Sequence, residues 1–185
     1  LECVRGDRRL FAGVSFRLEG GELLNLQGKN GAGKTSLLRM LVGLAQPVAG
    51  EITWRGEPIR KLAEDYRAEL CYMGHHNAIK EELTPLENLL ASARLAGEPL
   101  SEEQALEALY AVGLAGREDL QAKYLSQGQK RRVALARLIH TRRALWVLDE
   151  PFVPLDVAAV DMVAGLTSAH LPRGGLAVMT THQAV

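Results

Sequence analysis

GKNGAGKT, residues 28–35, satisfies the spacing G-x-x-x-x-G-K-[ST] at every specified position. The residue types suit one task, holding phosphate. Gly28, Gly31 and Gly33 let the backbone wrap closely, so that successive N–H groups can point inward at an anion. Lys34 adds a point charge for the outer phosphates, and the Thr35 hydroxyl suits a magnesium ion. The competing reading is a glycine-rich turn with no ligand. A chance match arises on the order of once per hundred chains of this length, so that reading is weak. The flanks agree with the motif. ELLNLQ (22–27) reads as a short strand, and KTSLLRMLVGL (34–44) reads as a helix with Leu37, Leu38, Leu41 and Leu44 on one face.

Outward from this loop the chain alternates between strand and helix. EITWRG (51–56) reads as a half-exposed strand, and ALWVLD (144–149) and LAVMTTH (176–182) as buried parallel strands. The middle, from about 84 to 122, reads as helical. Thr84-Pro85-Leu86-Glu87 combines a capping box with proline at the first helical position, and Ser101 to Gln104 repeats the box. The pattern predicts an α/β fold with a mostly parallel sheet covered on both faces and a helical insertion.

Composition narrows the class. Lys+Arg and Asp+Glu both number 22, so there is no basic excess of the kind a nucleic-acid binder carries. No apolar run is long enough to cross a membrane, and no signal-peptide pattern is present. Cys3 and Cys71 lie far apart and suit a reducing compartment as unpaired thiols. The five histidines form no zinc or haem-attachment pattern. Residue 1 is leucine, the chain stops at THQAV, and both ends read as trimmed.

Asp149 follows the strand ALWVL, where ligands collect in such sheets, and is a candidate to hold Mg²⁺ directly or through water. Glu150 beside it is a candidate general base for an attacking water. His182 ends the last strand and is a candidate for contact with a γ-phosphate. Each of the three, taken alone, would be an ordinary loop residue; the loop at 28–35 raises their standing.

LSQGQKRRVALARL (125–138) couples a small polar segment to a helix. Ser126 and Gln129 have capping-box spacing, which is the ordinary local reading. The alternative is an anion site made by free N–H groups and the helix dipole.

GKNGAGKT, LSQGQ, WVLDEP, PLD and TTH, in that order, resemble an ABC-transporter nucleotide-binding domain over essentially all 185 residues. The resemblance implies one P-loop NTPase cassette, residues 1–185, with an N-terminal antiparallel β subdomain and a helical subdomain at about 77–125. It implies ATP and Mg²⁺ as cofactors, with residues 28–36 (Lys29, Asn30, Ala32 and Ser36 among them) around the phosphates. It also implies a head-to-tail homodimer in which Ser126, Gly128 and Gln129 reach the γ-phosphate held by the other copy. CYMGHHNAIKEELTPLENL (71–89) and the TTHQ ending are similar, more narrowly, to the CcmA-type ATP-binding subunits of the haem-exporter-like complex of bacterial cytochrome c maturation. That likeness implies an integral membrane permease as partner; His75 to Glu82 is the candidate docking segment, because it links the nucleotide core to the helical insertion that begins near Thr84. It further implies a peripheral place on the cytoplasmic face of the inner membrane, a role in releasing haem-loaded carrier, and no nucleic-acid partner.

Three positions depart from the broad family pattern. His75 stands where most ABC domains carry the Q-loop glutamine, and Arg5 stands where the adenine-stacking aromatic usually lies. A guanidinium plane can also stack on a base. Gln127 occupies the variable position of the signature. The competing classes are another transporter's ATPase, a soluble ABC ATPase of translation or DNA repair, and a small-molecule P-loop kinase. The soluble machines carry two cassettes or a long coiled coil, and the kinase has no use for LSQGQ.

Overall fold

The structure, a computed structural model, describes residues 1–181, which fall into two compact units. The first takes in residues 1–75, 143–151 and 170–181. It opens with an antiparallel ribbon of β1 (Cys3–Arg5) and β2 (Arg8–Phe11), the antiparallel element expected at the N-terminus. β3 (Leu23–Gln27) leads through the glycine loop into α1 (Lys34–Leu41). A hairpin of β4 (Thr53–Trp54) and β5 (Glu57–Pro58) follows, then α2 (Ile59–Leu62), α3 (Glu64–Ala68) and β6 (Leu70–Met73). After the second unit the chain returns with β7 (Leu145–Leu148) and later β8 (Leu176–Thr181).

The core sheet is parallel throughout, in the order β3-β8-β7-β6. β7 and β8 occupy its centre and are buried along their whole length, which is why their sequences are near-continuous apolar runs rather than alternating ones. Leu38 and Leu41 of α1 pack with Val147, Val178 and Tyr66, whose hydroxyl donates to the Leu41 carbonyl at 2.7 Å.

Two expectations change here. The helix expected over 34–44 stops at Leu41. Gly43 has φ +74°, and the Gly43 and Leu44 amides donate back to Met40 and Arg39 in a Schellman closure. Leu44 therefore leaves the apolar face and is 60% exposed. The strand expected over 51–56 shrinks to Thr53–Trp54, because Arg55 and Gly56 both have positive φ and form a two-residue hairpin turn. β6 and the short helices α2 and α3 carry no signal that the sequence reading used.

The second unit comprises residues 76–142 and 152–169, so it extends past the 77–125 segment. It is built from α4 (Pro85–Leu95), α5 (Glu102–Ala111), α6 (Gln127–His140) and most of α7 (Val157–His170). Thr84, Ser101 and Ser126 each close a helix start with a complete capping box. Leu89, Leu109, Val112, Leu114 and Val133 form its core. α6 is unusual in burying two cations. Arg131, 2% exposed, donates to Asn77 Oδ1 at 3.1 Å, and Lys130 pairs with Glu81. Arg132 holds both carboxylate oxygens of Asp156 at 2.7 Å. Among the described residues no helix is long and apolar enough to cross a membrane.

Candidate nucleotide site

The loop after β3 enters α1 through Gly33, at φ +96°. A side chain there is excluded twice: the backbone is left-handed, and a Cβ would lie 2.9 Å from the Phe11 ring and 3.2 Å from Leu10. α1 also differs from α4, α5 and α6 in having no side-chain cap, so no hydroxyl or carboxylate consumes the amides of its first turn. Uncapped amides at a helix start, with no acid in that turn, favour an anion. Lys34 Nζ donates to the Gly28 carbonyl at 2.6 Å, which arches the lysine back over the loop that it follows.

A cleft of about 370 Å³ opens at this loop, lined by residues 29–36 together with Arg5, Arg8, Leu10 and Glu150. The structure thus gathers most of the expected phosphate ligands, Arg5 and Glu150 around one space. Arg8 and Leu10, which the sequence reading passed over, line it too. Arg5 and Arg8 end β1 and begin β2, so the ribbon presents both guanidinium-bearing residues to the cleft. The lining is rich in donors, as a polyphosphate requires.

The acids sit at the carboxyl end of β7. Asp149, 1% exposed, continues the ladder by donating its N–H to the Met73 carbonyl at 2.8 Å. Its Oδ1 accepts from the Thr180 hydroxyl at 2.7 Å. Glu150 turns the chain out of the sheet with φ +49°, and its N–H donates to the same Thr180 oxygen at 2.8 Å. His75 Nδ1 lies 3.7 Å from Glu150 Oε2. On the neighbouring strand pair, Thr181 donates to Asn25 Oδ1 at 2.8 Å. For Mg²⁺ the hard oxygen donors are Thr35, which lines the cleft, and the Asp149 carboxylate, which is buried just past the end of β7 and is not among the residues lining the cleft.

Ser126 Oγ accepts from the Gln129 N–H at 3.2 Å, and Gln129 Oε1 accepts from the Ser126 N–H at 2.9 Å. Both expected signature side chains are therefore engaged in the helix cap. Gly128 is a close approach: a Cβ there would stand 3.1 Å from the Pro154 carbonyl oxygen. His182 lies outside the described residues.

Thr180, Arg8 and Leu10 carry no motif that marks them in the sequence. The one available signal for Thr180 was a hydroxyl pair closing an otherwise apolar strand.

A parallel sheet with an uncapped glycine loop at one strand end and paired acids at another defines a P-loop nucleotide-binding protein. The family model described as ABC transporter matches residues 11–153. The chain is 74% identical over 185 residues to the cytochrome c biogenesis ATP-binding export protein CcmA of Dechloromonas aromatica, covering all of this chain and 91% of that protein. It is 56% identical over 183 residues to the protein of that name from Nitrosomonas europaea, covering 99% of this chain and 86% of the relative. Among solved structures, a putative ABC transporter ATP-binding protein from Pyrococcus furiosus superposes with TM-score 0.84 at 25% identity, over 98% of this chain and 88% of its own. An ATP-binding subunit of an ABC transporter superposes with TM-score 0.82 at 27% identity, over 98% and 77%. The chain belongs to the ABC transporter ATP-binding family and, within it, to the CcmA family of cytochrome c biogenesis proteins; it is an ATP-binding ATPase.

Proposed function

We propose that this chain is the motor subunit of a membrane complex of cytochrome c maturation, and that ATP hydrolysis in its cleft powers release of haem-loaded carrier. The observation that carries the catalytic part is that Glu150 lines the same cleft as Lys34 and the glycine loop. The cargo part is supported by the relatives, which bear the name of cytochrome c biogenesis export proteins over nearly the full chain.

In this reading Lys34 and the loop amides, Gly28 to Ser36, hold the β- and γ-phosphates of ATP, and Arg5 stacks on the adenine. Thr35 and Asp149 hold Mg²⁺, which when bound offsets phosphate charge. Glu150 takes a proton from the water that attacks the γ-phosphorus, and ADP leaves as the bond to the bridging oxygen breaks. His75 orients Glu150 from its exposed side, and His182 contacts the γ-phosphate. Two copies close head to tail, each placing Ser126, Gly128 and Gln129 on the nucleotide of the other. The cap at Ser126 leaves room for this role: its oxygen accepts from Gln129, and its own proton remains to be donated.

An integral membrane permease docks the chain peripherally on the cytoplasmic face of the bacterial inner membrane. No nucleic acid takes part, in keeping with a formal net charge of zero.

The test is a strain in which Glu150→Gln replaces the native chain. Covalent haem attachment to c-type cytochromes should be lost while b-type haem proteins persist, and a membrane protein should co-purify with the trapped chain. Normal c-type cytochromes, with no parallel pathway to supply them, would reopen the question of cargo.

A further inference from the structure

Thr180 belongs to β8, the strand between β3 and β7, and is fully buried. Leu148 pairs with Met179, so Thr180 stands one step beyond that pair, level with Asp149 at the end of β7. Its hydroxyl has one proton and two lone pairs. The proton goes to Asp149 Oδ1 at 2.7 Å, and the oxygen takes the Glu150 N–H at 2.8 Å. One side chain thereby grips two successive residues that the reading above assigns to metal binding and proton transfer.

The grip has a reason at each end. Asp149 is buried, and a buried carboxylate is costly unless donors meet it. A short hydroxyl-to-carboxylate bond is of the strong kind and also fixes the rotation of the carboxylate plane. Glu150 has φ +49°, a left-handed conformation that a residue with a Cβ keeps only when its surroundings enforce it. Thr180 supplies part of that enforcement by holding the amide that opens the turn. The turn in turn decides where the Glu150 carboxylate enters the cleft.

We propose that Thr180 is a positioning residue for ATP hydrolysis: it sets the carboxylate of Asp149 and the backbone turn of Glu150 together. This rests on the roles given to Asp149 and Glu150 above. A valine has the shape of threonine without the hydroxyl, so it would fill the site while losing both contacts.

The experiment uses the full chain and compares Thr180→Val, Thr180→Ser and Glu150→Gln with wild type. Turnover is measured at saturating ATP, and ATP affinity is measured calorimetrically with and without Mg²⁺. Thr180→Val should lower kcat about 10- to 100-fold, the usual cost of losing a group that orients a metal ligand. Metal-free ATP affinity should stay within about threefold, because the glycine loop and Lys34 are untouched, while the Mg²⁺ concentration that half-maximally promotes binding should rise about tenfold. Thr180→Ser, which keeps the hydroxyl, should restore both kcat and the Mg²⁺ dependence.

A Thr180→Val protein with kcat and Mg²⁺ dependence near wild type overturns the proposal, as does a Thr180→Ser protein as impaired as the valine variant. If the valine variant does not fold, Thr180→Cys, whose thiol is a weak donor, is held to the same criteria. Glu150→Gln separates the two layers. If it abolishes turnover while Thr180→Val does not, the positioning role alone fails. If Glu150→Gln turns over normally, the assignment of the base fails.

Discussion

His75 Nδ1 stands 3.7 Å from Oε2 of Glu150, beyond hydrogen-bond range but within reach of an ion pair. The histidine side chain is 62% exposed and the glutamate 17%, so the pair straddles the edge of the site with its acid turned inward. A pair open to solvent on its histidine side and beyond hydrogen-bond range is worth about 1 kcal/mol at most. His75→Ala should therefore lower kcat no more than about fivefold and leave ATP affinity unchanged. Glu150→Gln, by contrast, should cost about 10²- to 10⁴-fold in single-turnover hydrolysis. Equal losses in the two variants would make His75 a participant in the chemistry.

Lys34 Nζ is exposed and bonded to the Gly28 carbonyl of its own loop, so its removal should not disturb the core. Lys34→Ala should weaken ATP binding roughly 10- to 100-fold, the worth of a hydrogen bond to a charged group. Titration calorimetry checks the affinity, and thermal unfolding checks that the fold is unchanged.

Ser126→Arg should leave ATP binding to the same chain intact, lower helix stability by about 1 kcal/mol through the lost cap, and block closure of the dimer. Mixed with Lys34→Ala chains, it should recover part of the hydrolysis rate. Each mixed dimer then assembles one site from an intact loop and an intact signature. Absence of recovery in the mixture argues against a shared site.

Lys80 is the candidate for contact with the membrane partner. Asn88 brackets its backbone, accepting from the Lys80 N–H at 2.8 Å and donating to its carbonyl at 2.9 Å, while the side chain is exposed. Lys80→Glu should change stability by no more than about 0.5 kcal/mol and spare nucleotide binding. It should uncouple hydrolysis from maturation of c-type cytochromes, read as ATPase activity without covalent haem attachment.

His170 stacks on Trp146 at 4.0 Å and places Nε2 near the carbonyls of Ala144 and Leu176, at 3.2 and 3.3 Å. Burial holds its pKa below the ordinary histidine value, an effect that these carbonyls partly oppose. The unfolded chain therefore binds the proton more readily than the folded one. This stabilisation is complete above about pH 6.5 and is lost as pH falls through the folded value. The melting temperature should drop between pH 7.5 and 5.5, and His170→Phe, which keeps the stack, should flatten that dependence.

What the sequence determined alone was whatever depends on neighbours along the chain. GKNGAGKT is legible because its chemistry lies within eight consecutive residues, and the boxes at Thr84, Ser101 and Ser126 because a cap spans four. The apolar runs of β7 and β8 announced buried parallel strands for the same reason. Tertiary structure decided what depends on which strands lie side by side. Thr180 meets Asp149 across 31 positions only because β8 is inserted next to β7, and no periodicity in either strand encodes that adjacency. Lys130 and Arg131 are cationic side chains, yet both are buried because Glu81 and Asn77 come to meet them from about fifty residues away. Leu44 read as core and is exposed, because a left-handed glycine ends the helix before its periodicity is used. Local motifs bind phosphate and cap helices through backbone groups close in sequence. The turn that holds Glu150 needs an acceptor from a different strand, which only the folded sheet supplies.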